Sequence, residues 1–330
     1  MYANKLGRLL SGLHSCQVTA LCGAIRCRYS RTTICQQRTL WRRRNTCKRT
    51  QNHTVHGRIS VCLSSYSVRS ASQTTVDPDE LRRFQSLASK WWDEQGEFAA
   101  LHAMNDLRVP FIRDNLLNVH TRHHPGKPLA GLRILDVGCG GGLLTEPLGR
   151  LGGNVLGIDP VEDSISTAQL HSSNDPELRS RVSYRACSLE ELSSEEEGEQ
   201  GAGQFDAVVA SEVVEHLADP ETFAFCCSHV LKPGGSLFIT TLNKTNLSYA
   251  LAIVVAEQLF RIVPSGTHDW EKFISPVELE RLLESNGFSV KSVQGMLYNP
   301  FSGAWSWTDS TAVNYALHAI KVTDDLQPEQ

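Results

Sequence analysis

From residue 131 onward the chain alternates short apolar runs with amphipathic stretches. The runs "RILDVG", "NVLGID", "RVSYRA", "FDAVVAS", "GSLFITT", "FSVKSVQG" and "NYALHAI" have the length and β-branched content of buried strands. Between them, "LLTEPLGRLG", "VEDSISTAQLH", "DPETFAFCCSHVL" and "SPVELERLLESNG" repeat apolar side chains every three or four residues, the period of a helix with one buried face. Strand and helix in alternation predict parallel βαβ units. The expected fold is therefore α/β: a doubly wound, seven-stranded sheet with helices on both faces. Upstream, Phe84, Leu87, Trp91 and Trp92 fall at helical spacing and predict an N-terminal helical cap over residues 76–130. The α/β domain itself is expected over 131–322, with a tail at 323–330.

Charge separates a further segment. Residues 1–76 hold 13 Lys or Arg and no Asp or Glu, whereas the remainder holds 19 basic and 36 acidic residues. Arg-rich, Ser-rich and acid-free is the makeup of a mitochondrial transit peptide, here expected over 1–75. The broken run "CQVTALCGAI" lacks the continuous apolar core of a secretory signal. The acidic body shows no aromatic-basic platform, so no nucleic-acid partner is expected. Six of the ten cysteines lie in this leader; the body keeps Cys139, Cys187, Cys226 and Cys227, none in a C-x-x-C. That usage suits a reducing compartment such as the matrix.

Two segments stand apart from the alternation. "SSEEEGEQGAG", residues 193–203, reads as a solvated acidic loop. "LSYALAIVVAEQLFRIV", residues 247–263, is the most apolar stretch, and its uninterrupted part is shorter than the ~20 residues a span needs. It is either a packed helix between strands or a helix that lies on a membrane or lids an apolar pocket.

The chemistry begins at "ILDVGCGGGLL", which ends a strand and opens a helix. Glycine at 138, 140, 141 and 142 permits positive φ and close approach of a ligand to the backbone. Asp159 ends the next strand, where a carboxylate can accept hydrogen bonds from both ribose hydroxyls of a nucleoside. A dinucleotide fingerprint starting at Gly138 requires glycine at 143, and Leu143 stands there. The G-x-G-x-G spacing, with Asp136 before it and "LKPGG" feeding the fifth strand, suits S-adenosylmethionine, which has no pyrophosphate to seat. From Gly131 onward the chain resembles the class I (Rossmann-like) methyltransferases.

"WWDEQGEFAALHAMNDLR", "LDVGCGGGLLTEPLGRLGGNVLGID", "SEVVEHLADP", "GTHDWEKFISPVEL" and "MLYNPFSGAWSW" are similar to the ubiquinone-biosynthesis O-methyltransferase family over about residues 84–322. The resemblance implies methyl transfer to polyprenylated catechols, a dihydroxy-polyprenylbenzoate and a demethylubiquinol. It implies that Arg108 reaches the methionine carboxylate of the cofactor, that Gly138 lines its loop, that Asp159 holds the ribose and that Ser211 sits beside it. It further implies a peripheral place on the matrix side of the mitochondrial inner membrane and attachment to other enzymes of the pathway. Where many methyltransferases carry an acid after the third strand to read adenine, "RACSLEEL" offers Cys187 and Ser188. Adenine recognition is left to backbone and apolar contacts.

The stretch "SEVVEHLADP" puts Glu212, Glu215 and His216 on one face if it is helical. Two carboxylates supply hard oxygen ligands of the kind Mg²⁺ takes, and imidazole suits softer metals. The resemblance implies that the trio binds a divalent ion, Mg²⁺, but E-x-x-E-H also serves metal-free methyltransferases by positioning the cofactor or capping a helix. His268 in "GTHDW" is the candidate by position for a general base, with loop ordering beside Asp269 as its structural role. Tyr298, Trp305 and Trp307 either line a pocket for the prenylated ring or belong to the core. Two other functions fit the pattern less closely: a methyltransferase of small soluble phenols, and a non-catalytic subunit that keeps the fold for assembly. A dehydrogenase is disfavoured by Leu143.

Overall fold

A computed structural model describes residues 74–120, 124–195, 203–245 and 273–323, all within one compact unit, Ser67–Gln330. The expected leader, the apolar stretch 247–263 and His268 lie outside the described residues.

The described chain opens with helix α1 (Pro78–Leu87), followed after a short 3-10 turn by the long helix α2 (Ala99–Val119). Strands and helices then alternate: β1 (Arg133–Val137), α3 (Thr145–Arg150), β2 (Asn154–Asp159), α4 (Glu162–Ser172), β3 (Val182–Ala186), α5 (Leu189–Glu195), β4 (Phe205–Ser211), α6 (Pro220–Val230) and β5 (Leu231–Leu242). Helix α7 (Pro276–Ser285) leads into β6 (Phe288–Asn299), β7 (Ala304–Thr308) and β8 (Asn314–Lys321). The helix starts follow local chemistry. Asp77, Asp219 and Ser275 each cap a helix with proline at its first position, and Ser275 with Glu278 forms a reciprocal capping box.

The sheet order is β3-β2-β1-β4-β5-β8-β6-β7. β1 to β5 pair in parallel, and β8, β6 and β7 add antiparallel. The α/β class holds, and the sheet has eight strands where the alternation predicts seven. The extra strand is β7, hairpinned onto β6 through "NPFSG". Its five residues alternate half-buried Trp305 and Trp307 with exposed Ala304 and Ser306, too short a pattern to separate from the aromatic-rich turn before it. "LKPGG" does not precede β5 but lies within it, looped out where the β4–β5 register jumps from Phe205 opposite Leu231 to Ala207 opposite Ser236. The Phe84-to-Trp92 spacing also breaks: α1 stops at Leu87, and the tryptophans sit in the turn beyond the 3-10 residues Ala88–Lys90.

Successive side chains of a strand face opposite sides of the sheet. Thus Leu135 and Val137 join a core with α6 and α7, while Ile134 joins one with Ile112 and Leu116 of α2. Between β1 and β4 the strand order reverses. The carboxyl ends of strands at such a switch point leave a crevice for ligands.

Candidate active site

A cavity of about 360 Å³ opens at that crevice. Such a volume suits one small-molecule site. Its walls include Arg108, Gly138, Asp159, Ser211, Glu212, Glu215 and His216, the seven cofactor and metal candidates of the sequence. Tyr298 and Trp305 also line it, whereas Trp307 packs against Phe111 in the core, ring centres 5.5 Å apart.

The floor is the turn after β1. Gly138, Gly140 and Gly142 have φ of 66°, 52° and 87°, a conformation that side-chain-bearing residues rarely take. Trp91 lies over this turn: a Cβ on Gly140 or Gly141 would meet the tryptophan side chain at 2.4 or 2.3 Å. Trp92 Nε1 donates to the Gly141 carbonyl (3.0 Å), and Asn105 Nδ2 donates to the Leu143 carbonyl (2.9 Å). The N-terminal helices therefore clasp the glycine turn from outside. Asp159 ties it from the other side, since its Oδ2 accepts from Gly140 N (3.0 Å) and its Oδ1 from Val161 N (2.8 Å). Burial pushes the Asp159 carboxyl up to about 6, with the two backbone N–H groups opposing. Asp136, buried beneath the turn, accepts from Thr145 Oγ1 (2.5 Å) and is also pushed up to about 6 by burial.

Arg108 comes up from α2 and is only 4% exposed. Its guanidinium donates to Asn105 Oδ1 (2.7 Å), Ser211 Oγ (2.8 Å) and the Leu101 carbonyl (3.3 Å). Among the described residues no carboxylate lies within ion-pair distance of it. Burial lowers its pKa to about 10, against the pull of Asp136 and Glu212. From Ser211 the hydrogen bonds run one way. Thr240 spends its one hydroxyl proton on Glu212 Oε1 (2.8 Å), so Ser211 is the donor to Thr240 Oγ1 (2.7 Å). A cation at Arg108 and an anion at Glu212 thus close the two ends of a relay through Ser211 and Thr240.

A family model described as a methyltransferase domain matches residues 109–293. The mitochondrial ubiquinone biosynthesis O-methyltransferase of Homo sapiens is 66% identical over 252 residues, which are 76% of this chain and 67% of that protein. The Rattus norvegicus protein of the same name is 60% identical over 275 residues, 83% of this chain and 78% of that one. A ubiquinone biosynthesis O-methyltransferase of Azorhizobium caulinodans is 44% identical over 252 residues, 76% of this chain and 96% of its own length. The chain belongs to the ubiquinone biosynthesis O-methyltransferase family.

An S-adenosylmethionine-dependent methyltransferase needs a seat for a nucleoside and for an amino-acid carboxylate. The cavity holds a carboxylate at the end of β2 and a buried guanidinium that has no carboxylate within ion-pair distance among the described residues. Ser188 is occupied as the cap of α5: its N donates to Glu191 Oε2 (2.8 Å), and its Oγ accepts from Glu191 N (3.2 Å). Cys187 beside it is buried, with a thiol that burial raises.

The stretch after β4 departs from expectation. In this family member it is not an α-helix with Glu212, Glu215 and His216 on one face. Glu212 takes φ of 57°, the left-handed conformation, and a single 3-10 turn follows over Val214–His216. The three side chains consequently meet different partners. Glu212 Oε1 faces Thr240, Glu215 Oε2 accepts from Thr241 Oγ1 (2.7 Å), and His216 Nδ1 stands 3.4 Å from Glu80 Oε2 on α1, with the Phe84 ring edge-on at 5.2 Å. Among the described residues no three His, Cys, Asp or Glu side chains converge as a metal site. Glu215 is 1% exposed, its Oε1 has no hydrogen-bond partner, and burial followed by the Glu212 charge holds its carboxyl well above the usual range.

Sequence reasoning passed over Thr240, Thr241, Asn105 and Glu80, and read Phe84 only as part of a helical pattern. The two threonines sit in "FITT", which reads as plain strand, and nothing local shows that their hydroxyls meet acids 26 and 28 residues upstream.

Proposed function

We propose that this chain transfers the methyl group of S-adenosylmethionine to a catechol hydroxyl of polyprenylated ubiquinone precursors, 3,4-dihydroxy-5-polyprenylbenzoate and demethylubiquinol. The observation that carries the cofactor half is Arg108, a buried cation with no carboxylate in ion-pair distance among the described residues, in a cavity that also holds Asp159 and Gly138. A buried charge is costly unless paired, and the methionyl carboxylate would pair it. Asp159 would hold the ribose, Gly138 would let the cofactor approach the backbone, and Ser211 would fix the guanidinium. The family supplies the substrate half.

In the reaction, oxygen attacks the methyl carbon in line with the carbon–sulfur bond. The sulfur keeps the electron pair of the broken bond, and the hydroxyl proton leaves. A sulfonium and a phenolate become two neutral groups, so walls as apolar as Leu143, Leu144, Val137 and Trp91 favour the transfer over a wet site. The free phenol titrates near 10, so some group must take its proton. His268, the candidate for that part, lies outside the described residues.

A divalent ion, Mg²⁺, held by Glu212, Glu215 and His216 belongs to this reading through the family resemblance. One atom supports it, the unpartnered buried Oε1 of Glu215. The other contacts of the trio are directed elsewhere, so the residues as placed do not fit a ligand set and no step is routed through an ion. For the setting, we propose the matrix face of the mitochondrial inner membrane, peripherally bound, with other ubiquinone-biosynthesis enzymes as partners. Among the described residues no helix is long and apolar enough to cross a membrane.

The test is turnover with S-adenosylmethionine on catechol acids with and without a prenyl tail, each in EDTA and with Mg²⁺, Zn²⁺ or Mn²⁺ restored. Methylation of the tailed substrate is expected. Turnover confined to small soluble phenols would replace the substrate class. Cofactor binding without turnover of any catechol would favour a non-catalytic assembly role. Activity lost in EDTA and restored by metal would turn the trio into ligands; full activity in EDTA would leave them to position the cofactor.

A further inference from the structure

The β6–β7 hairpin is both a wall of the active-site cavity and a bare apolar edge. Leu297, Tyr298, Pro300 and Trp305 line the cavity from this hairpin. At its tip, Phe301 is 81% exposed, and Leu297 beside it is 43% exposed. The exposure is built into the turn. Asn299 Oδ1 accepts from Phe301 N (2.9 Å), Gly303 N donates to the Asn299 carbonyl (2.9 Å), and Gly303 takes φ of 67°. Trp305 is fixed as well, its Nε1 donating to the Ala100 carbonyl (2.8 Å) and its ring 5.2 Å from Tyr298.

Residues 292–308 contain no Asp, Glu, Lys or Arg, and β7 is the terminal strand of the sheet. Edge strands ordinarily carry charge to discourage partners. An uncharged, aromatic edge with a phenyl ring held outward does the reverse, and it offers nothing to a charged protein surface or to nucleic acid. Tryptophan and tyrosine with a neighbouring apolar tip are the side chains that favour a membrane interface.

We infer that the tip of this hairpin docks on the lipid bilayer, with Phe301 inserted, so that the cavity mouth beside Leu297 and Pro300 opens onto the membrane surface. The inference rests on the polyprenylated-substrate reading above. A cavity of about 360 Å³ lies at the small end of the roughly 300–1,000 Å³ of small-molecule and cofactor sites and leaves no room for a long tail as well. With cofactor and ring inside, a long tail has to pass out over the mouth, and the hairpin is the apolar surface it meets there. The surface is distinct from residues 247–263, the other candidate for lipid contact.

The test uses the full 330-residue chain and vesicles of neutral phosphatidylcholine, on which the basic residues of 1–76 gain no charge attraction. Wild type and Phe301→Leu should float with the vesicles to within about threefold of one another. Phe301→Glu and Phe301→Ser should partition at least about tenfold less, the scale set by withdrawing one phenyl ring from an apolar phase. Phe301 does not line the cavity, so both variants should keep turnover of a tail-less catechol within about twofold while losing turnover of the tailed one in vesicles. Unaltered flotation of Phe301→Glu, or no flotation of wild type, overturns the inference. So does loss of flotation together with tail-less turnover. Concentration-dependent dimerisation that Phe301→Glu abolishes would assign the face to a second copy instead. Failure of the function proposed above reads differently: no catechol, tailed or tail-less, would be methylated, whatever the flotation result.

Discussion

Replacing Arg108 by methionine should separate cofactor binding from stability. The guanidinium is buried, and its pKa of about 10 stands against an ordinary value near 12.5; at about 1.4 kcal/mol per pKa step, holding it charged there costs roughly 3 kcal/mol. Methionine removes that cost and fills much of the same space. It also removes the bonds to Asn105, Ser211 and the Leu101 carbonyl, which have a charged donor and are worth about 1.5–3 kcal/mol each. At the low end of that range the bonds outweigh the burial cost by about 1–2 kcal/mol, so the ligand-free variant should lose no more than about 2 kcal/mol. The cofactor should behave otherwise. A charge-assisted contact to its carboxylate contributes about 1.5–3 kcal/mol, or about 10- to 150-fold in affinity. Calorimetric titration with S-adenosylhomocysteine measures the second quantity, and a denaturant melt without ligand measures the first. An unchanged Kd for S-adenosylhomocysteine would refute the assignment of Arg108. So would a variant that loses several kcal/mol in the absence of ligand, because the cation would then be a structural tie.

Three further outcomes are expected. Asp159 must be ionised to accept from two ribose hydroxyls, and its pKa is about 6 in the ligand-free protein, so S-adenosylhomocysteine should bind about tenfold more weakly at pH 5 than at pH 7. The stability sign is opposite: Asp136 and Asp159 are both raised above their unfolded values, so the ligand-free fold loses stability as pH climbs from about 4 through about 6, and a pH series of melts should show it strengthening on acidification across that window. Gly138→Ala would put a Cβ 2.6 Å from Val213 Cγ2 at a φ of 66°; a cost of about 1–3 kcal/mol and a weakened cofactor Kd are expected by melt and titration, and a silent substitution would mean the turn relaxes freely.

What could be read along the chain was whatever depends on near neighbours. The period-2 and period-3.6 patterns marked the strands and helices, and the patterns that open at Asp219 and Ser275 start where the structure caps α6 and α7, because a cap is a contact two or three residues long. The glycine turn and Asp159 were legible for the same reason: each is positioned by the end of its own strand. Leu143 spoke against a dinucleotide from the sequence itself. The fold decided what depends on partners far away. The trio after β4 looked helical by spacing, yet Glu212 is left-handed, and Thr240 and Thr241 of the adjacent strand bond one carboxylate each. His216 faces Glu80, 136 positions upstream, because α1 lies over the cavity. Trp91 and Trp92 left the helix their spacing suggested, and their indoles cover the glycine turn instead. Hydrogen bonds and burial between distant segments carry no local period, so only the folded chain reveals which polar groups they pair.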